Sequence, residues 1–147
     1  MTPAMQTVER SALVMFTPEQ MFSLVNDVQR YPQFLPWCIA SSVTDLSPTE
    51  RVATVQIARS VLRTSFTTRN TLQPGRKISM QLTDGPFRHL SGEWSFDPIG
   101  EEGARVKFHV DFEFNNKLMA AALSSVFESV CATMVDAFVE RAKKVYG

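Results

Sequence analysis

Val106-Lys107-Phe108-His109-Val110-Asp111-Phe112-Glu113-Phe114 alternates apolar and polar side chains without a break. A strand turns successive side chains to opposite faces, so this pattern predicts a strand with one covered face and one wet face. Upstream segments repeat it. Leu62, Thr64, Phe66, Thr68, Asn70 and Leu72 oppose Arg63, Ser65, Thr67, Arg69 and Thr71. Ile78, Met80 and Leu82 oppose Lys77, Ser79, Gln81 and Thr83, and Leu90, Gly92, Trp94 and Phe96 oppose His89, Ser91, Glu93 and Ser95. Ser47-Pro48, Pro74-Gly75, Asp84-Gly85-Pro86 and Gly100 to Gly103 mark turns between strands. With Arg51–Ser60 and a first strand over Gln6–Phe16, the expectation is an antiparallel sheet of about seven strands. The first strand mixes polar and apolar residues on both parities, which leaves its inward face open.

Outside the sheet the period changes. Thr17-Pro18-Glu19-Gln20 carries a helix start: Thr17 caps, Pro18 takes the first helical position and Gln20 closes a capping box. Met21, Phe22, Leu24, Val25 and Val28 give that helix its apolar stripe, and Tyr31-Pro32 ends it. A second short helix or tight turn is expected at Phe34–Cys38. Asn116 to Tyr146 reads as one long amphipathic helix. At 100° per residue, Met119, Leu123, Val126, Phe127, Val130, Met134, Ala137 and Phe138 share an arc. Ser124, Ser125, Glu128, Ala132, Asp136, Glu140 and Lys143 lie opposite; Val135 and Val139 fall outside the arc and are expected to be exposed, while Arg141 snorkels from its end. The fold class is α+β: a curved antiparallel sheet around a long C-terminal helix, with two short helices after the first strand. No repeat or linker divides residues 1–147, so one domain is expected.

Composition narrows the function. Hydrophobic residues make up 44% and charged residues 20%, the balance of a folded domain, and eleven phenylalanines point to a large apolar interior. The formal net charge is zero, which removes the simplest argument for DNA binding. No apolar run suggests a signal peptide or a membrane span, so the cytoplasm is the expected location. Cys38 and Cys131 have no metal spacing and are expected to be buried, reduced thiols.

No catalytic set emerges. His89 and His109 fall on the wet face, without a nucleophile or ligand set beside them. Asp111 and Glu113 lie on the same face, where exposure leaves carboxylates near their ordinary titration. Gly85 and Gly92 suit a turn and a bulge rather than a phosphate loop. The protein is therefore expected not to be an enzyme, and to need no metal and no cofactor.

One helix cannot fill the concave face of a bent sheet, so a cavity is expected between them, and apolar cavities are ligand sites by default. Its expected lining is Phe66, Thr68, Asn70, Met80, Trp94, Phe96, Phe108, Val110 and Phe112 from the sheet and Val126, Val130 and Met134 from the helix. Thr68 and Asn70 are polar groups on the inward face, bonded either to neighbours or to a ligand headgroup. Phe34-Leu35-Pro36-Trp37 is either a plug closing the core or a gate for a lipid. Residues 51–96 hold seven basic groups against two acidic ones. Arg59, Arg63, Arg69, Lys77 and Arg88 form the expected basic patch, suited to ribosomal RNA or an anionic membrane.

Four motifs carry a resemblance. They are Asp27-Val28 with Tyr31-Pro32-x-Phe34-Leu35-Pro36-Trp37-Cys38; Phe66-Thr67-Thr68-Arg69-Asn70; Leu82-x-Asp84-Gly85-Pro86-Phe87-x-x-Leu90-x-Gly92-x-Trp94-x-Phe96; and Asp111-Phe112-Glu113-Phe114. The final helix adds Phe127, Met134-Val135, Ala137-Phe138 and Arg141-Ala142. In order and spacing the chain resembles the coenzyme Q-binding START-domain family, grouped with polyketide cyclase-like proteins, and looks most like its ribosome-association toxin subgroup. The resemblance implies a helix-grip fold whose cavity accepts ubiquinone or a related isoprenoid lipid, serving respiration as carrier or chaperone. It also implies, as the alternative, a regulator that binds the large ribosomal subunit and blocks subunit joining. A lipid role would place the protein at the periphery of the inner membrane.

Overall fold

The computed structural model describes residues 5–147. Seven strands form one antiparallel sheet: β1 (Gln6–Val14), β2 (Cys38–Ser47), β3 (Glu50–Arg59), β4 (Leu62–Gln73), β5 (Lys77–Asp84), β6 (Phe87–Ile99) and β7 (Gly103–Phe114). Their order across the sheet is β1-β7-β6-β5-β4-β3-β2, so every chain-consecutive pair after β2 is a hairpin and β1 closes onto β7. Register shifts at Thr67/Thr68 and Phe87/His89 are bulges, which bend strands and increase twist. The inward set is the apolar set: Val106, Phe108, Val110, Phe112 and Phe114 of β7 are all buried. The open question about β1 resolves to its even positions, with Val8 and Val14 buried.

Glycines at the turns have the backbone that turns need. Gly75, Gly85 and Gly100 all have positive φ, and a Cβ on Gly85 would sit 2.8 Å from the Phe66 Cβ. Gly92 is not a bulge. It pairs regularly with Met80 and Val110, and the Met80 methyl occupies the space a side chain would take, 2.8 Å from an ideal Cβ.

Helix α1 (Pro18–Asn26) starts with the capping box read from its sequence. The Gln20 N–H donates to Thr17 Oγ1 at 3.1 Å, and the Thr17 N–H donates to Gln20 Oε1 at 2.9 Å. It stops at Asn26, two residues before Val28. The second helical piece is a 3₁₀ helix at Val28–Gln33, and Phe34–Cys38 takes the other expected form, a tight turn in which the Cys38 N–H donates to the Leu35 carbonyl at 3.0 Å. Pro32 lies inside it, because the proline φ suits a 3₁₀ turn and a single turn does not need every N–H. β1 likewise ends at Val14, where its partner strand runs out at Ala104.

The C-terminal helix departs most from its sequence reading. It is α2 (Lys117–Ala132) and α3 (Met134–Tyr146), meeting at Thr133. The Thr133 hydroxyl donates to the Val130 carbonyl at 2.9 Å, and the Thr133 N–H is shared between the Ser129 and Val130 carbonyls. Threonine back-bonding of this kind bends a helix. The face on the sheet is also rotated. Ser124, Phe127, Val130, Cys131, Val135, Phe138 and Ala142 are buried, whereas Val126 is only half-buried. A wheel weights hydrophobicity, but close approach to a sheet favours small residues, and Ser124, Cys131 and Ala142 supply them. Val135, expected at the surface, is 2% exposed.

Lys117–Tyr146 is long and apolar enough in composition to cross a membrane, a property the sequence reading had denied to every segment. Here its apolar face covers the sheet. Phe127 packs edge-on against Phe112 at 4.7 Å between ring centroids, and Phe138 against Trp94 at 5.3 Å. The rotated face makes a direct prediction. Val135→Ala should lower the unfolding free energy by about 2 kcal/mol, and Val126→Ala by under about 1 kcal/mol, in denaturant titrations. The reverse ranking would restore the arc read from the wheel.

Candidate functional site

Between the sheet and the helices lies a cavity of about 80 Å³. Phe66, Thr68 and Asn70 of β4, Met80 of β5, Trp94 of β6, Phe108 and Val110 of β7, and Val130 and Met134 from the helices line it, as the alternation suggested. Phe96, Phe112 and Val126 do not. Phe96 and Phe112 are fully buried but packed against rings: Phe96 meets Phe22 at 5.9 Å, and Phe112 meets Phe127 and Phe114. Val126 is carried to the flank by the rotated helix. Residues counted as lining thus turn out to be filling, which makes the cavity small. An apolar cavity of about 150 Å³ holds a benzene molecule. The long polyisoprenoid expected inside does not fit this conformation.

The wall also contains residues that strand periodicity does not flag: Val25, Asn26, Val28 and Tyr31 from α1 and the 3₁₀ turn, and Cys131 from α2. The Tyr31 hydroxyl donates to the Val25 carbonyl, and burial drives its pKa far upward. Burial raises the Cys131 thiol to about 12 and the Cys38 thiol to about 11, so both free thiols stay protonated and unreactive near neutral pH. Inside the wall the Thr68 hydroxyl donates to Asn70 Oδ1 at 2.7 Å, and both residues are buried. Among the described residues, Asn26 Oδ1 is buried with no hydrogen-bond partner.

Of the segment Phe34–Trp37, only Trp37 reaches the cavity. Leu35 is buried, and Pro36 points outward. Backbone N–H groups of Phe34 and Leu35 donate to the Tyr31 carbonyl, Cys38 to Leu35, and Ala58 to Trp37. Phe34 stacks edge-on with Phe138, and the Arg141 guanidinium lies 4.9 Å above its ring. The segment is thus tied down by backbone hydrogen bonds and by packing against α3.

The basic residues do not form one patch. Arg69 pairs with Glu50 at 2.7 Å, Lys77 with Glu93 at 3.3 Å and Arg88 with Glu113 at 3.5 Å. Counting charge along the chain does not register this, because strand pairing brings Glu50 and Glu113 in from outside the segment and sets Glu93, within it, beside Lys77. Arg59 and Arg63 are exposed and, among the described residues, have no carboxylate partner. They flank the β3–β4 turn, beside Val61, which is 69% exposed. β4 pairs with β5 only from Thr67 onward, so this hairpin end extends beyond β5, while on the other side β2 and Trp37 pair with β3 as far as Ala58.

His109 is not a lone surface histidine. Its Nδ1 lies 3.0 Å from Glu9 Oε1 and its Nε2 3.1 Å from Asp111 Oδ2, while the Thr7 hydroxyl donates to Asp111 Oδ1 at 2.6 Å. The Asp111 hydrogen bond, with help from Glu9, raises the His109 pKa. The Thr7 hydroxyl first, and then His109, lowers that of Asp111, contrary to the expectation of ordinary titration. The cluster lies on the outer face and ties β1 to β7. His89 is half-buried, with Nε2 3.1 Å from the Ser91 hydroxyl.

Because the folded state raises the His109 pKa, its stabilisation is complete below the ordinary histidine value of about 6.5 and is lost as pH rises through the raised value. Thermal unfolding of wild type and His109→Gln across this range should show a gap at low pH that closes as pH rises. A gap independent of pH would assign the histidine a packing role only.

The sheet wrapped on a bent helix, with an apolar space between them, defines a helix-grip protein. Residues 14–139 match the family described as polyketide cyclase / dehydrase and lipid transport, and the chain belongs to it. It is 47% identical over 142 residues to the ribosome association toxin RatA of Escherichia coli, covering 97% of this chain and 90% of that protein. It is 31% identical to the mitochondrial coenzyme Q-binding protein COQ10 homolog B of Xenopus laevis, over 93% of this chain and 58% of that one. Among solved structures, the Zhui aromatase/cyclase of Streptomyces superposes with a TM-score of 0.84 over 95% of this chain and 94% of that one. At 18% identity that likeness is one of fold alone. Relatives from Vibrio cholerae and Pseudomonas aeruginosa, at 47% and 44% identity, are likewise ribosome association toxins by name. Fold and family together support a hydrophobic-ligand-binding or a ribosome-directed regulatory role.

Proposed function

We propose that this protein is a cytoplasmic, non-catalytic regulator that binds the large ribosomal subunit and hinders subunit joining. The observation that carries this reading is the likeness to ribosome association toxins across nearly the whole chain. The β3–β4 hairpin is the surface best suited to it. A phosphate backbone rewards cations that are not already neutralised, because each contact releases condensed counterions. Arg59 and Arg63 meet that requirement, and Val61 between them offers apolar surface.

A second reading concerns the interior. The apolar cavity and the kinship to a coenzyme Q-binding protein favour a hydrophobic ligand there. The volume favours a compact molecule over ubiquinone, whose chain would require the helix to lift from the sheet.

The ribosomal reading is tested by sedimentation with isolated large subunits. The double variant Arg59→Ala/Arg63→Ala should bind more weakly, with a shallower salt dependence. Arg69→Ala, whose charge Glu50 already opposes, should behave as wild type. Equal losses in both variants, or none in the double variant, would remove the hairpin from the interface.

A further inference from the structure

We propose that the end of the sheet at which α2 begins docks on an anionic lipid bilayer, through the first turns of α2 and the β3–β4 turn. Strand pairing gathers several segments at this one end. Cys38 of β2 pairs with Ile57 near the end of β3, and Arg59 pairs with Leu62 across the β3–β4 turn. Thr67 of β4 pairs with Asp84 at the end of β5, and Phe87 at the start of β6 pairs with Phe114 at the end of β7. α2 follows at once, from Lys117. Its second residue, Leu118, is 85% exposed, and Val61 on the hairpin tip and Ile39 at the start of β2 are exposed as well.

The outer side of α2 is the unusual element. A surface helix normally carries charged residues on the side away from the core. The 16 residues of α2 include two charged ones, Lys117 and Glu128. Between them the exposed positions are Leu118, Ala121, Ala122 and Ser125, with Met119, Ala120 and Leu123 half-buried. Within Lys117–Tyr146, the most apolar 18-residue stretch is only 28% buried. The sheet thus uses one side of this helix and leaves a second apolar side outward.

Charge selects the partner. Arg59, Arg63 and Lys117 are exposed and, among the described residues, have no carboxylate within ion-pair distance. Arg88 is paired with Glu113, which leaves Asp84 as the single acid in these turns. A second copy of the chain would set the cations against their own kind, and an RNA backbone has no apolar layer to receive Leu118. An anionic bilayer suits both features: its surface potential attracts the cations, and the acyl boundary beneath the headgroups receives the apolar side chains. The surface goes beyond the ribosomal reading and shares only the β3–β4 turn with it, so Leu118 separates the two.

The full chain is mixed with vesicles of phosphatidylglycerol and phosphatidylcholine, or of phosphatidylcholine alone, and the bound fraction is read by flotation. Wild type should float with the anionic vesicles and not with the neutral ones. Leu118→Gln should weaken that binding about tenfold, through the loss of one buried leucine. Lys117→Ala should weaken it about fivefold, the effect of one cation near such a surface. Leu13 and Met15 are 67% and 78% exposed at the opposite end of the sheet, so Leu13→Gln and Met15→Gln should float as wild type. Failure of wild type to float, equal binding to neutral vesicles, or equal losses in the Leu13 and Met15 variants would overturn the proposal. So would a Leu118→Gln protein that floats normally but sediments less with large ribosomal subunits, which would assign this helix end to the ribosomal interface. Flotation without any subunit binding by wild type would remove the ribosomal reading and leave this one standing.

Discussion

The interior is governed by the fit of one bent helix into the concave face of a seven-stranded sheet. How closely the helix approaches depends on which side chains face inward. Small residues are buried at Ser124, Cys131 and Ala142, and Thr133 back-bonds to the Val130 carbonyl where α2 gives way to α3. Rings then occupy most of what remains: Phe127 among Phe66, Phe87 and Phe112 at one end, and Phe138 among Trp94, Tyr31 and Phe34 at the other. The cavity is the residue of this packing. A larger helix offset would make a lipid tunnel from the same strands, so ligand size in such a fold depends on helix seating more than on the sheet.

Much of this was legible before any coordinates. Strict alternation in β4 through β7 reports a sheet covered on one side, and Thr17 with Gln20 reports a helix start, because each is a local rule with one physical cause. Helix seating is not local. The wheel correctly placed Phe127, Val130 and Phe138 inward, yet it exposed Val135 and favoured Val126, since hydrophobicity alone cannot register the close approach that small residues allow. Asn26 escaped notice for a related reason: it belongs to the wall only because the end of α1 meets the sheet.

Charge shows the same limit. Five cations within the middle strands suggested a patch, but Glu50, Glu93 and Glu113 meet three of them across strand pairs that connect distant parts of the chain. What survives is the hairpin with Arg59 and Arg63. Alternation puts His109 and Asp111 on one face, but Glu9 reaches His109 from β1, a hundred residues away. The outward hairpin and the inward cavity are separate surfaces, joined only through β3 and β4, which contribute to both.

The central claim, that this chain acts on the ribosome through its large subunit, is tested most directly by mixing purified protein with separated ribosomal subunits under conditions that favour joining. Light scattering then follows joining, and gradient sedimentation locates the protein. The account predicts that joined ribosomes decline as protein is added and that the protein travels with the large subunit. Unchanged joining, with the protein left at the top of the gradient, would contradict it.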